Sequence, residues 1–376
     1  MAVGAPMALL AALVALLGAP AAAVVHVRRR TPRYLFATFP NTPEVGYSML
    51  PHEAWSPLII EGLAMPEAIS VDADNQRIFV ADTMAKLILA YQFRILPSGR
   101  LLVDGPRHVL SERMVGRGLL TDATGTLYIA GQQEPDPATV PPGTAIEPLE
   151  AVFVLATQDI DQVIATGVPI DPKSLWLRRN TAGGSSATSP QLYAPSCLAG
   201  DAVTLFWGNS ARPDAATGAI ASAGTAVPAL QPEETVRAMA DNVDRVSAVA
   251  LTPTYVFYAG SGKIFGVSRH KASGTCGEGG SLCPAVLKQD GADLRPSSMV
   301  WDGDGTVYVA DATLGAVLSF SAGSLSTHIM SKVADASGVW GIAYYVPTSR
   351  AAPGRGLGAA LALLAAAMAS VWGPSR

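Results

Sequence analysis

Pro66-Glu67-Ala68-Ile69-Ser70-Val71-Asp72, Ala73-Asp74-Asn75-Gln76, Arg77-Ile78-Phe79-Val80-Ala81-Asp82 and then Leu87-Ile88-Leu89-Ala90-Tyr91 decide the fold, because the same grammar returns 230 residues later. The second copy reads Pro296-Ser297-Ser298-Met299-Val300-Trp301-Asp302, Gly303-Asp304-Gly305, Thr306-Val307-Tyr308-Val309-Ala310-Asp311 and Ala316-Val317-Leu318-Ser319-Phe320. In each, a short apolar strand ends in Asp and a tight Asp/Asn/Gly turn of the hairpin-closing kind follows. A β-branched and aromatic strand then ends in Ala-Asp, and a third strand comes shortly after.

Weaker copies fill the space between. Gly118–Asp122 leads to Thr126–Ala130, with Val152–Leu155 as a delayed third strand; Ser196–Ala199 leads to Val203–Trp207; Ala248–Leu251 leads to Tyr255–Ala259 and Lys263–Val267. The second-strand markers Ile78, Leu127, Leu205, Val256 and Val307 are 49, 78, 51 and 51 residues apart, and the long interval holds two Pro/Gly/Ser-rich insertions around Glu134–Pro148 and Pro172–Pro190. The ends complete each other. Trp340–Tyr345 reads as a first strand with nothing after it, whereas Tyr34–Thr38 and Val45–Ser48 read as second and third strands with no first before them. Units that cannot bury both faces alone must stack. The expectation is an all-β, six-bladed β-propeller over residues 33–347, one blade being closed by both termini, which leaves no open sheet edge. A β-sandwich also has many short strands, but it gives no reason to reuse one grammar at distant points.

These motifs resemble the six-bladed propellers of the NHL and YWTD classes and the related gluconolactonase-like (senescence marker protein) family. The likeness is specific over Ile69–Asp82 and Met299–Asp311 and loose elsewhere. It implies a fold more firmly than a function, since propellers host unrelated activities. It also implies that Asp82 and Asp311 cap backbone amides and tie adjacent blades. Asp72, Asp122 and Asp302 stand at hairpin entrances, where Asp bonds the backbone two residues on.

First strands line a propeller's axis, and aligning their starts brings Glu67, Arg117, Ser196, Ser247, Ser297 and about Val339 to one level. The first five of these are the candidate ligand-binding set. The gluconolactonase-like enzymes hold a divalent metal with a carboxylate, a central Asn and a later Asp. Glu67 after Pro66 looks like their first ligand, but Pro296-Ser297-Ser298 or Pro195-Ser196-Cys197 stands where the Asn would be. A hard cation needs several oxygen ligands, so neither a metal nor another cofactor is expected. A Glu67–Arg117 pair across the funnel would ligate a small polar molecule or neutralise itself. Histidines 26, 52, 108, 270 and 328 lack ligand spacing, and neither a Gly-x-Ser-x-Gly elbow nor a Gly-x-x-x-x-Gly-Lys loop occurs. Leu175-Trp176-Leu177-Arg178-Arg179 reads as a blade edge or a binding spot.

Composition fits an ordered chain outside the cell. Apolar residues make up 49 % and charged residues 15 % of 376, the reverse of a disordered composition. With 26 basic against 30 acidic residues, nothing drives phosphate binding, and nucleic acid is not an expected partner. Residues 1–23 carry an apolar run, Met7–Gly18, and end in Ala21-Ala22-Ala23, as a cleaved signal does; 24–32 is a leader. After a spacer, 348–355, the tail 356–376 opens with the apolar run GLGAALALLAAAMASVW. It fits a removable GPI-type signal better than a membrane span; an Ala-rich helix packed on the domain is a third reading. Either of the first two tethers the propeller to the outer surface through the tail only. Cys276 and Cys283 suit a disulfide clipping a Gly-rich loop, with zinc as the alternative, and Cys197 is left buried and unpaired. Two functions follow: a tethered propeller binding a protein or small polar ligand, or a secreted gluconolactonase-like hydrolase using Glu67.

Overall fold

A computed structural model describes residues 31–51, 54–139, 141, 147–177, 194–210, 218–225, 236–243, 245–260, 262–269, 274–275, 285–287, 294–323, 325 and 330–347. The expected signal segment, most of the leader, the spacer and the tail lie outside them, as do Cys276, Cys283, Arg178 and Arg179. Among the described residues no helix is long and apolar enough to cross a membrane.

Six antiparallel sheets form the six blades of a propeller. Blade 1 contains β1 (Arg33–Phe39), β2 (Glu44–Leu50) and β3 (Ser56–Ile59). Blade 2 follows with β4 (Pro66–Asp72), β5 (Arg77–Asp82), β6 (Leu87–Ile95), β7 (Leu101–Val103) and β8 (His108–Glu112). Blade 3 is β9 (Met114–Thr121), β10 (Leu127–Gln133), β11 (Leu149–Leu155) and, after helix α1 (Thr157–Thr166), β12 (Lys173–Leu177). Blade 4 is β13 (Pro195–Gly200), β14 (Thr204–Asn209), β15 (Gly218–Gly224) and β16 (Arg237–Val243). Blade 5 is β17 (Ala248–Leu251), β18 (Tyr255–Gly260), β19 (Lys263–Ser268) and β21 (Ala285–Leu287); the two-residue β20 (Gly274–Thr275) joins β16 in parallel. Blade 6 is β22 (Pro296–Trp301), β23 (Thr306–Asp311), β24 (Ala316–Ser321) and β25 (Ser331–Asp335). The last strand, β26 (Ile342–Tyr345), returns to blade 1 and pairs with β1 through Tyr34↔Tyr345, Leu35↔Tyr344, Phe36↔Ala343 and Ala37↔Ile342. The first and last described strands therefore build one sheet, as the sequence implies.

The second strand of each blade is covered on both faces by neighbouring blades, so it reads as an apolar run instead of an alternation. Leu35, Ile78, Leu127, Leu205, Val256 and Val307 all have 0 % exposure. The core is divided accordingly: each of the six buried apolar clusters lies between two adjacent blades, including the closing contact of Leu35, Ala37 and Phe39 with Tyr308, Ala310 and Val317. Asp82, fully buried, accepts the amides of Ala64 (2.6 Å), Met65 (3.0 Å) and Ala85 (3.0 Å). Asp311 does the same for Arg295 (2.7 Å), Thr313 (3.0 Å) and Leu314 (2.8 Å). Each carboxylate thus fixes the segment that enters its own blade from the one before. Asp72, Asp122 and Asp302 close their hairpins by accepting amides two to four residues on. Helix α1 is an element the sequence reading omits: Ile160 and Val163 press it against blades 2 and 3, and Gly167, at φ 71°, ends it.

Candidate functional site

The inner strands β4, β9, β13, β17, β22 and β26 surround the axis. Where they begin, the molecule opens into a basin of about 580 Å³, which Glu67, Arg117, Ser196, Ser247, Ser297 and Trp340 line. Below it an axial channel of about 260 Å³ runs past Ala68, Leu119, Ala199, Ala250 and Met299. All five candidate residues stand at this mouth. The sixth position is corrected by the register: Val339 is fully buried, and the residue level with the others, one before the Ile342↔Ala37 pair, is Gly341.

A local irregularity presents these side chains. In blades 2, 4 and 6 the ladder opens on a proline pair, Pro66↔Asp82, Pro195↔Asn209 and Pro296↔Asp311, and then skips one residue. The skipped residues are Glu67, Ser196 and Ser297; in blade 3 the skip between Gly116 and Gly118 falls on Arg117. A bulge leaves its extra residue unpaired and re-aims its side chain, which turns these four toward the opening.

The three serines are bound to their neighbours. Ser196 Oγ donates to Val246 O (2.7 Å), Ser247 Oγ to Pro296 O (2.6 Å) and Ser297 Oγ to Trp340 O (2.7 Å), each acceptor belonging to the start of the next blade. At the closure, where Gly341 has no hydroxyl, Thr38 supplies one. Its Oγ1 donates to Glu67 O and accepts the Gly341 amide, both at 2.8 Å. With their protons committed, the serines offer the basin acceptor lone pairs only.

Glu67 and Arg117 sit on neighbouring blades and do not form the expected pair: among the described residues no ion pair joins them. Arg117 instead donates through Nη2 to Gln132 Oε1 (3.0 Å), while its Nη1 is buried with no hydrogen-bond partner among the described residues. Burial raises the Glu67 carboxyl above its ordinary range; the Thr83 hydroxyl and the Arg117 guanidinium draw it back, and Asp82 pushes it further up. Arg245 and Arg295, absent from the sequence-derived set, line the same basin. They lie in the segments between blades, outside the repeat that located the others. Arg245 holds a φ of 44°, which non-glycine residues seldom adopt. Around Glu67 no set of three His, Cys, Asp or Glu side chains gathers among the described residues. Cys197, beside the mouth, is buried and free, and burial pushes its thiol up to about 12. Lys173–Leu177 forms an outer blade strand.

No protein-family model matches the chain, and a comparison with curated proteins finds no match. Among solved structures, a chain of a nidogen/laminin complex is similar at a TM-score of 0.55 and 12 % identity, over 84 % of this chain and 99 % of that one. A gluconolactonase from Xanthomonas campestris is similar at 0.48 and 12 %, over 82 % and 86 %. The calcium-binding protein regucalcin from Agrobacterium tumefaciens is similar at 0.45 and 15 %, over 76 % and 80 %. At such identities the likeness is one of fold, and the fold that this chain shares with the first of them is the six-bladed propeller its repeats encode.

Proposed function

We propose that this protein is an extracellular recognition module, tethered through its C-terminal tail, whose axial mouth captures a carboxylate group. The observation that carries the reading is Arg117: its Nη2 is fixed by Gln132 and its Nη1 is buried without a partner among the described residues, in a basin that Arg245 and Arg295 also line. A buried donor left unmade costs about 1–3 kcal/mol, a cost that an entering carboxylate removes. Arg is suited to this because its planar fork matches a carboxylate geometrically. The location rests on the signal-like and tail segments at the two ends of the sequence.

Calorimetric titration of the full chain with malonate tests the reading. Binding that weakens about tenfold or more in Arg117→Gln supports it, since a charge-assisted hydrogen bond contributes about 1.5–3 kcal/mol; equal binding by parent and variant, or no binding by the parent, rejects it. Release from membranes by a phosphoinositide-specific phospholipase tests the lipid form of the tether. A second reading, hydrolysis in the funnel, is favoured by the Glu67 carboxyl, which burial shifts upward, the direction in which enzymes tune a carboxyl for general acid/base work. Lactone turnover that is lost in Glu67→Gln would establish it.

A further inference from the structure

Large apolar side chains are exposed unevenly. Of the eight exposed among the described residues, Ile60 (64 %), Met84 (70 %), Leu314 (36 %) and Trp340 (38 %) fall on one face of three consecutive blades. Ile60 follows β3, whose Ile59 pairs with Val45 beside the β1–β2 loop. Met84 stands in the β5–β6 loop, where Thr83 is bonded to Met65 just ahead of Glu67. Leu314 is in the β23–β24 loop, which the bond from the Ala336 amide to Gly315 O joins to the segment carrying Trp340. These are mouth-side loops of blades 6, 1 and 2, and Trp340 itself lines the basin. Scattered single apolar residues need no explanation, but a sector of them beside a polar pocket marks an interaction surface.

Two further observations define the occupant. Among the described residues, the basin adjoining the sector carries Arg117, Arg245 and Arg295 against one carboxylate, Glu67, so its charge is complementary to an acid. The outer rim of blade 3 is different: there Arg113 is paired with Asp136 and Asp171, and Lys86 with Glu134. The described chain also ends on the opposite face. β26 runs away from the mouth, and its partner β1 begins at Arg33, which reaches Asp302 in the far hairpin of blade 6. The mouth is therefore the face opposite the last described residues.

Resting on the carboxylate-binding reading, we infer that the mouth face of blades 6, 1 and 2 docks an acidic protein segment, one carboxylate entering the basin while apolar side chains of the same segment cover Ile60, Met84, Leu314 and Trp340. Interfaces of this kind combine a buried anchor with an apolar surround. The test is selection of a randomised displayed 12-residue peptide library on the full chain, on a Met84→Ser/Leu314→Ser double variant and on Arg117→Gln, with a malonate titration of all three. The expected result is enrichment of peptides carrying Asp or Glu together with large apolar residues, whose affinity falls at least tenfold on both variants. Malonate binding should fall only in Arg117→Gln. Peptides that bind the double variant within twofold of the parent, selected sequences lacking apolar residues, or no enrichment at all would overturn the docking surface. Malonate binding unchanged by Arg117→Gln would instead overturn the underlying reading of the mouth.

Discussion

Gly341→Ala strikes the point where the ring is sealed. Gly341 occupies in blade 1 the level that Ser297 holds in blade 6, and a Cβ there would lie 2.2 Å from Glu67 O and 2.9 Å from Thr38 Oγ1. The first obstacle is backbone, so no side-chain rotation relieves it; blades 1 and 2 must separate. Overpacking of this kind costs about 1–3 kcal/mol. The shift also stretches the two 2.8 Å bonds of Thr38 Oγ1, to Glu67 O and from the Gly341 amide, at about 1 kcal/mol each. The expected loss is about 2–5 kcal/mol, read as a lowered midpoint of urea unfolding. Gly305→Ala is the control, because a Cβ there meets nothing within 4 Å and its backbone is not left-handed. It should match the parent or gain up to about 1 kcal/mol from a stiffer unfolded chain. A Gly341→Ala protein within about 0.5 kcal/mol of the parent, or one no weaker than Gly305→Ala, would refute the packed closure at this position.

Removing the hydroxyls in Ser247→Ala or Ser297→Ala should each cost about 1–2 kcal/mol in urea unfolding, by taking a donor from a carbonyl of the next blade, while malonate affinity stays within twofold. Asp82→Ala leaves three amides without their acceptor and should cost more than either serine, about 2–4 kcal/mol. Because burial raises the Glu67 carboxyl from 4.5, the folded chain holds that proton more tightly than the unfolded one. The parent should therefore lose stability relative to Glu67→Gln as pH rises from 4.5 through the raised value, and the gap should be level below and above that window; urea midpoints measured from pH 3.5 to 7 check the slope. The Cys197 thiol, buried and pushed up to about 12, should resist alkylation in the native protein and react once unfolded. Without reductant, the mass shift of the unfolded chain should then equal one label if Cys276 and Cys283 are bridged and three if they are not.

The fold was legible because burial on both faces writes the second strand of every blade as a run, and Ile78, Leu127, Leu205, Val256 and Val307 carry that signature whatever lies between them. The turn aspartates were legible for a local reason, since Asp bonds its own hairpin. Helix α1 was not: Ile160, Val163 and Ile164 have helical spacing, but the segment lies between two insertions in a strand repeat that gives no cue for a helix. At the mouth, the level of the five residues could be read from the repeat, whereas their partners could not. Register bulges decide which side chain faces the axis, and a hydrogen bond from Ser196 to Val246, 50 residues away, has no local sign in the chain. Arg245 and Arg295 escaped for the same reason, because the positions of connecting segments are set by the blades on either side.

Read as a ring, the mouth shows where the repeat has been broken. Blades 4, 5 and 6 carry serine at the bulged or opening position, and each serine fastens the next blade. Repetition alone would put serine in blades 2 and 3 as well, with a hydrogen bond of about 1 kcal/mol from each. Instead those blades carry Glu67, with a carboxyl that burial makes harder to ionise, and Arg117, with a buried nitrogen that no described residue satisfies. Both substitutions forgo a blade-to-blade bond and add a desolvated charge, which costs free energy in the unliganded protein. Departures of that sort from an otherwise self-consistent repeat are expected where function overrides stability. Replacing the pair with the repeat's own residue, in Glu67→Ser/Arg117→Ser, should therefore raise the urea midpoint above that of the parent while abolishing malonate binding. A double variant that is less stable than the parent would mean that the two charges serve the fold and that the mouth is not a site.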